Sequence, residues 1–209
     1  GSLQSRVDFS AAAITASDLK ADLPTFRFRA PGMEFSESNV KMHSDMHWSR
    51  AGSVLSISKL DLTTPAFSLA TDRVDFKPIR PSEYGLAGTL KLHGDLAKLQ
   101  HGLGLYFDET RRDIVSGSVS GTMSLDTMNG PWKLGMDLAG KNVRYGTLDQ
   151  PAWSERWVNV KAEGEFAPVD DWLRLHQFSV AREGLSAQGK GSFTQISSAQ
   201  NMQVEGILD

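Results

Sequence analysis

Three short patterns in this chain use residue types that do chemistry. Gly117-Ser118-Val119-Ser120-Gly121 has the outline of a nucleophile elbow, but that motif needs serine at its centre and Val119 stands there. His43, Asp45 and His47 alternate along one stretch, as donors of a metal site could. On an extended strand the two histidines are roughly 13 to 14 Å apart, too far for one ion with ligand bonds of about 2 Å. A His43/Asp45 or Asp45/His47 pair would therefore need help from a neighbouring strand; otherwise these residues form a solvated polar face. The acidic pairs Asp108-Glu109 and Asp170-Asp171 fall in expected loops, where no apolar pocket raises one carboxyl to make a general acid.

Gly102-x-Gly104 and Gly189-x-Gly191 lack the third glycine and the strand-turn-helix setting of a nucleotide fingerprint. The absence of cysteine excludes a disulfide framework, a thiolate metal site and a cysteine nucleophile. No Ser/His/Asp set and no convergent acids emerge, so the expectation is a protein without catalysis and without a cofactor. The formal net charge of -3 gives no electrostatic reason to attract nucleic acid. No apolar run approaches the roughly 18 to 20 residues needed to span a bilayer. The leading Gly1-Ser2 reads as a cleavage remnant with no signal peptide behind it.

The elements that would position these residues are strands. From Asp113 to Leu138, Val115, Gly117, Val119, Gly121, Met123 and Leu125 share one parity while serines, Thr122 and Asp126 take the other. That period-2 pattern is a strand with one dry face. Asn129-Gly130-Pro131 turns the chain, and Trp132, Leu134, Met136 and Leu138 resume the alternation, which predicts a hairpin. Val40, Met42, Met46 and Trp48 form another dry row, broken only by Ser44. Between Ser58 and Leu60 the apolar phase slips by one residue, as at a β-bulge.

Further alternation predicts strands through Ile14, over Phe26 to Ala30 after Pro24, over Phe67 to Phe76 before a loop at Pro78 and Pro81, and over Leu86 to Leu92. Val158 to Phe166, Trp172 to Val180, and a last hairpin over Leu185 to Phe193 and Met202 to Leu208 follow. One helix is expected near residues 95–104. Leu96, Leu99 and Leu103 are spaced for one face, Asp95 is placed to cap the start, and Gly102 and Gly104 stand near the end. The polar stretch Tyr106 to Asp113 then leads into the central hairpin. Setting Gly121 over Gly191, 70 residues on, aligns Trp132 with Met202 and Leu138 with Leu208, a hint of a repeat.

Gly88, Gly117, Gly121, Gly164, Gly189 and Gly206 all fall on dry parities, where a sandwich normally wants bulk. Missing side chains there permit tight curvature and leave room. The fold expectation is a single all-β domain over residues 1–209, an elongated, curved, taco-like antiparallel sheet with one short helix. A β-sandwich, whose small residues face large ones across a core, is the alternative.

Gly85 to Leu99, GLAGTLKLHGDLAKL, and Leu175 to Gln195 followed by Asn201 to Asp209 resemble the AsmA-like proteins of bacterial envelopes, a group that includes TamB and YhdP-type members. The resemblance covers about half the chain, and it rests on glycine placement and alternation. It implies a repeating β-groove within a larger envelope protein, anchored to the inner membrane and projecting into the periplasm. It also implies transfer of phospholipids between membranes, without chemistry and alongside envelope membrane proteins. On this reading phospholipid or fatty acyl chains lie along Leu90, Leu92, Val115, Val119, Met123, Leu125, Trp132, Leu134 and Met136. A carbohydrate- or protein-binding sandwich would instead present tryptophans on a polar face, with Trp153 and Trp157 near a loop.

Overall fold

The computed structural model describes residues 1–30, 33–80, 83–103, 114–146, 151–196 and 203–208. Twelve strands and one helix make up these residues: β1 Ser2–Phe9, β2 Ala13–Ala30, β3 Met33–Ser49, β4 Val54–Thr63, β5 Phe67–Arg80, β6 Glu83–Asp95, α1 Leu96–Leu103, β7 Ile114–Asp126, β8 Trp132–Gly146, β9 Pro151–Ala167, β10 Trp172–Arg182, β11 Leu185–Thr194 and β12 Gln203–Leu208. The strands form one sheet in sequence order, each antiparallel to the next. Among the described residues nothing pairs β1 with β12 and no second sheet faces this one, so the sheet is open. The sandwich alternative is thereby set aside.

Register turns local alternation into a property of the whole sheet. One row crosses all twelve strands through Val7, Ala16, Met46, Ile57, Val74, Gly88, Leu125, Leu134, Gly164, Leu175, Gly191 and Gly206, with no polar side chain in it. A second runs from Leu3 through Ala21, Met42, Leu62, Leu69, Leu92, Gly121, Leu138, Val160 and Val180 to Ala187. Gly121 and Gly191 occupy different rows.

Several strands outrun their sequence limits. β2 begins at Ala13 and passes through Pro24, which lies beyond the last β1 partner, Asp22. There β2 has a neighbour on one side only, the setting in which a strand tolerates proline. β5 likewise runs through Pro78, which pairs with Tyr84 before the register shifts at Arg80. Trp153 and Trp157, expected near a loop, lie within β9. β1, with no strong alternation to announce it, is held as an edge by register with β2. Tyr106 to Asp113, including Asp108-Glu109, together with Gly104 and Met202, lie outside the described residues.

The bulge at Ser58 to Leu60 is present. Lys59 has φ 51° and the β3–β4 register shifts there. Asp18 of β2, φ 54°, marks a matching shift against β1 and β3. Ser44 of β3 lies beside both and is 1% exposed, which explains the break in its dry row: bulged neighbours close over a site that admits only a small side chain. The central hairpin turns at Gly130 with φ 68°, a value glycine adopts without strain.

α1 starts as expected, with the Lys98 N–H donating to the Asp95 carboxylate at 3.0 Å. It touches β7, β3 and β6. The accessible surface is 14134 Å², against about 9600 Å² for a compact monomer of this mass. The buried apolar side chains are few and small, Val40, Val74 and Val143 with three alanines among the described residues. The dry face is thus largely uncovered by the protein itself. No helix among the described residues is long and apolar enough to cross a membrane.

Candidate functional site: an apolar trough

Seven consecutive strands, β4 to β10, line one cavity of about 640 Å³ on the dry face. Its walls are aliphatic, aromatic or glycine except at Ser124, and no titratable group lines it. The volume lies in the range of small-molecule sites, roughly 300 to 1000 Å³. Seven strands at a spacing of about 4.8 Å extend some 29 Å, so the lining is a strip rather than a compact pit.

Of the nine residues read from sequence, Leu90, Met123, Leu125, Leu134 and Met136 meet in this cavity. Cross-strand pairing brings them together: Met123 stands opposite both Leu90 and Met136, and Leu125 opposite Leu134. Met123, Leu134 and Met136 remain 47%, 36% and 38% exposed, open to a guest. The other four do not line the cavity. Leu92 sits one row away, opposite Leu69 and Gly121. Val119 pairs with Gly94, over which Leu99 of α1 lies, its Cδ1 only 2.8 Å from where a Cβ would be. Val115 donates its N–H to Gln100 Oε1 at 2.8 Å, so α1 occupies that end of β7. Trp132 meets Phe166 edge-on, ring centroids 5.6 Å apart, beyond the opposite margin.

The cavity also draws on Ile57, Leu60, Phe76, Leu86 and Leu175, among others not foreseen as lining. All but Leu175, whose strand is apolar on both parities in places, showed a dry parity in the sequence. Their convergence could not be followed across the bulges at Lys59 and at Thr71 to Arg73, each of which shifts the pairing by one residue.

The glycines act differently from expectation. The space above Gly88 is taken by Val74 Cγ2, 2.8 Å from a Cβ position, and Leu175 Cδ2 lies 3.2 Å from that of Gly164. The ring of Phe178 stands 2.9 Å from the Cβ position of Gly189. At these three glycines a larger neighbour in the same row fills the space, while at Gly117, Gly121 and Gly206 the Cβ position meets backbone of the neighbouring strand.

Most charge lies on the opposite face, although Arg182, opposite Val158 on the dry parity of β10, pairs with Glu155, opposite the buried Val143. Asp137 pairs with Lys161 at 2.7 Å, Asp18 with Lys20 at 2.8 Å and Asp45 with Lys59 at 3.0 Å. His43 Nε2 is 2.9 Å from Asp18 Oδ1, while Asp45 accepts the Asp18 N–H at 2.9 Å and His47 Nδ1 meets Thr15 Oγ1 at 3.0 Å. The polar stripe His43, Asp45 and His47 is therefore used by cross-strand bonding, and no group of three metal-ligating side chains forms among the described residues. The Lys20 ammonium holds the Asp18 carboxyl below the usual range, with His43 adding to the effect. The Asp18 N–H and Lys59 do the same for Asp45. At Asp75 partial burial pushes the carboxyl up, but hydrogen bonds from Ser56 and Arg73 outweigh it and the net shift is downward.

With no titratable residue in its lining, the open apolar strip can hold an apolar guest by burial. No protein-family model, no curated protein and no solved structure matches this chain.

Proposed function

We propose that this protein binds lipid acyl chains in the apolar trough and passes them on unchanged, as an AsmA-like element of bacterial phospholipid transport between inner and outer membranes. One observation carries the reading: apolar rows cross the whole sheet, and among the described residues no second sheet covers them. A face of this kind left to water is unfavourable by about 25 cal/mol for each Å² of apolar surface, which a hydrocarbon guest would recover. Exposed contiguous apolar surface on this scale marks a binding site in a soluble protein. The periplasm, with a membrane-anchored parent protein and envelope membrane proteins as neighbours, is the setting that goes with this function.

Native mass spectrometry of protein purified without detergent tests the reading, with uptake of a fluorescent fatty acid as the second measurement. Co-purifying lipid released on activation, together with saturable uptake, is the expected result. Protein that carries no lipid and takes up no probe would overturn it.

A further inference from the structure

We infer that Arg182 anchors the anionic headgroup, phosphate or carboxylate, of a lipid whose tail lies in the trough; the inference rests on the acyl-chain reading above and gives the guest an orientation. The dry parity of β10 runs from Leu173 and Leu175 in the cavity wall, across the bulge after Leu175, through Phe178 and Val180 to Arg182, the last residue of the strand. β9 supplies the facing side chains, Ala162 opposite Phe178, Val160 opposite Val180 and Val158 opposite Arg182. An apolar path therefore joins the guanidinium to the trough, and Val180 along it is 38% exposed. Ala162 lines the cavity and Val158 lies four residues before it, roughly 13 to 14 Å along an extended strand. One leaflet of a bilayer, half of a hydrocarbon core of about 30 Å, is about 15 Å deep, so an acyl chain is long enough to follow that path.

The chemistry at the end of the path suits an anion. Arg182 Nη1 donates to Glu155 Oε1, and the Glu155 side chain is only 9% exposed whereas that of Arg182 is 38% exposed. The covered acid thus holds the guanidinium in place while part of it faces solvent. A guanidinium carries five N–H donors in a planar fork, so donors remain for a phosphate or carboxylate oxygen. As a structural device the pair adds little, because taking two charges out of water offsets their attraction. Val158, opposite Arg182, shows that an aliphatic side chain is accommodated at this level of the face. The Glu155 charge weakens the hold on an anion without abolishing it, which leaves the headgroup releasable.

Titration with a fluorescent fatty acid and with the fatty alcohol of the same chain, at mildly alkaline pH where the acid is ionised, tests this directly. The wild type should bind the acid about ten-fold more tightly than the alcohol, as one charge-assisted hydrogen bond supplies. Arg182→Gln should lose that preference and keep its affinity for the alcohol. Glu155→Gln keeps an acceptor for Arg182 and removes the opposing charge, so it should bind the acid more tightly than the wild type and the alcohol equally well. This variant and the wild-type comparison carry the test even if Arg182→Gln fails to fold. Lysophosphatidic acid should displace the acid probe; inorganic phosphate at the same concentration should not, and displacement by phosphate alone would overturn the lipid assignment. Equal affinity of the wild type for acid and alcohol would overturn the inference and leave the trough standing. Binding of neither probe would overturn the trough reading and this inference with it.

Discussion

Replacing Met136 by glutamate sets a carboxylate on the floor of the trough, opposite Met123 on one side and Ala162 on the other. Met136 is 38% exposed, so only part of its side chain contributes burial to the fold. Full burial of such a side chain is worth about 1.5 to 3 kcal/mol, so the fold should lose about 1 to 2 kcal/mol. A guest covering the carboxylate must strip its water, at a cost of at least about 3 kcal/mol, or roughly a hundred-fold in affinity. The assay is fluorescent fatty-acid titration alongside thermal melting. Thr122→Glu, which adds the same charge on the opposite, exposed parity of β7, serves as control and should bind as the wild type does. Folded Met136→Glu protein that binds the probe with undiminished affinity would refute the assignment of the trough as the site.

Gly121→Ala should cost about 2 kcal/mol or more, read as a lowered melting temperature, because φ is 154° and a Cβ would lie 2.8 Å from Leu138 Cα. Gln100→Ala removes the acceptor of the Val115 N–H and should cost about 1 to 3 kcal/mol, with faster hydrogen exchange at the start of β7. Asp18 and Asp45 titrate below the usual value of 3.8 when folded, so their stabilising effect is present above that value and lost as pH falls through the lower, folded one. Melting temperature should therefore fall on acidification below 3.8, and Asp45→Asn should flatten that limb; an unchanged acid limb would count against the network around Asp18.

Strand identity and facing were legible wherever alternation was unbroken. Met123 and Leu125 could be placed on the dry face of β7 from parity alone, and the start of α1 from Asp95 and the leucine spacing. The bulge at Lys59 was visible as a phase slip. Val115 and Val119 lie outside the cavity because parity reports a face and not what lies over it, and Leu92 lies one row away from it. α1 covers that end of the face, and only the contacts of Leu99 and Gln100 reveal it. Ile57 and Leu175 were missed for the complementary reason: five strands separate them, and no local pattern relates their positions.

The sequence by itself determined which side chains share a face, since successive residues of an extended chain must point to opposite sides. It also determined the absence of thiol chemistry and of a nucleophile elbow. Only the tertiary structure decided that the strands pair in chain order, that the apolar rows align across all of them, and that among the described residues α1 covers one end of them while no second sheet covers the rest. Pairing register sums small twists and bulges over twelve strands, and a shift of one residue at any bulge redirects every side chain beyond it, so neither the trough nor its open side is encoded in any single segment.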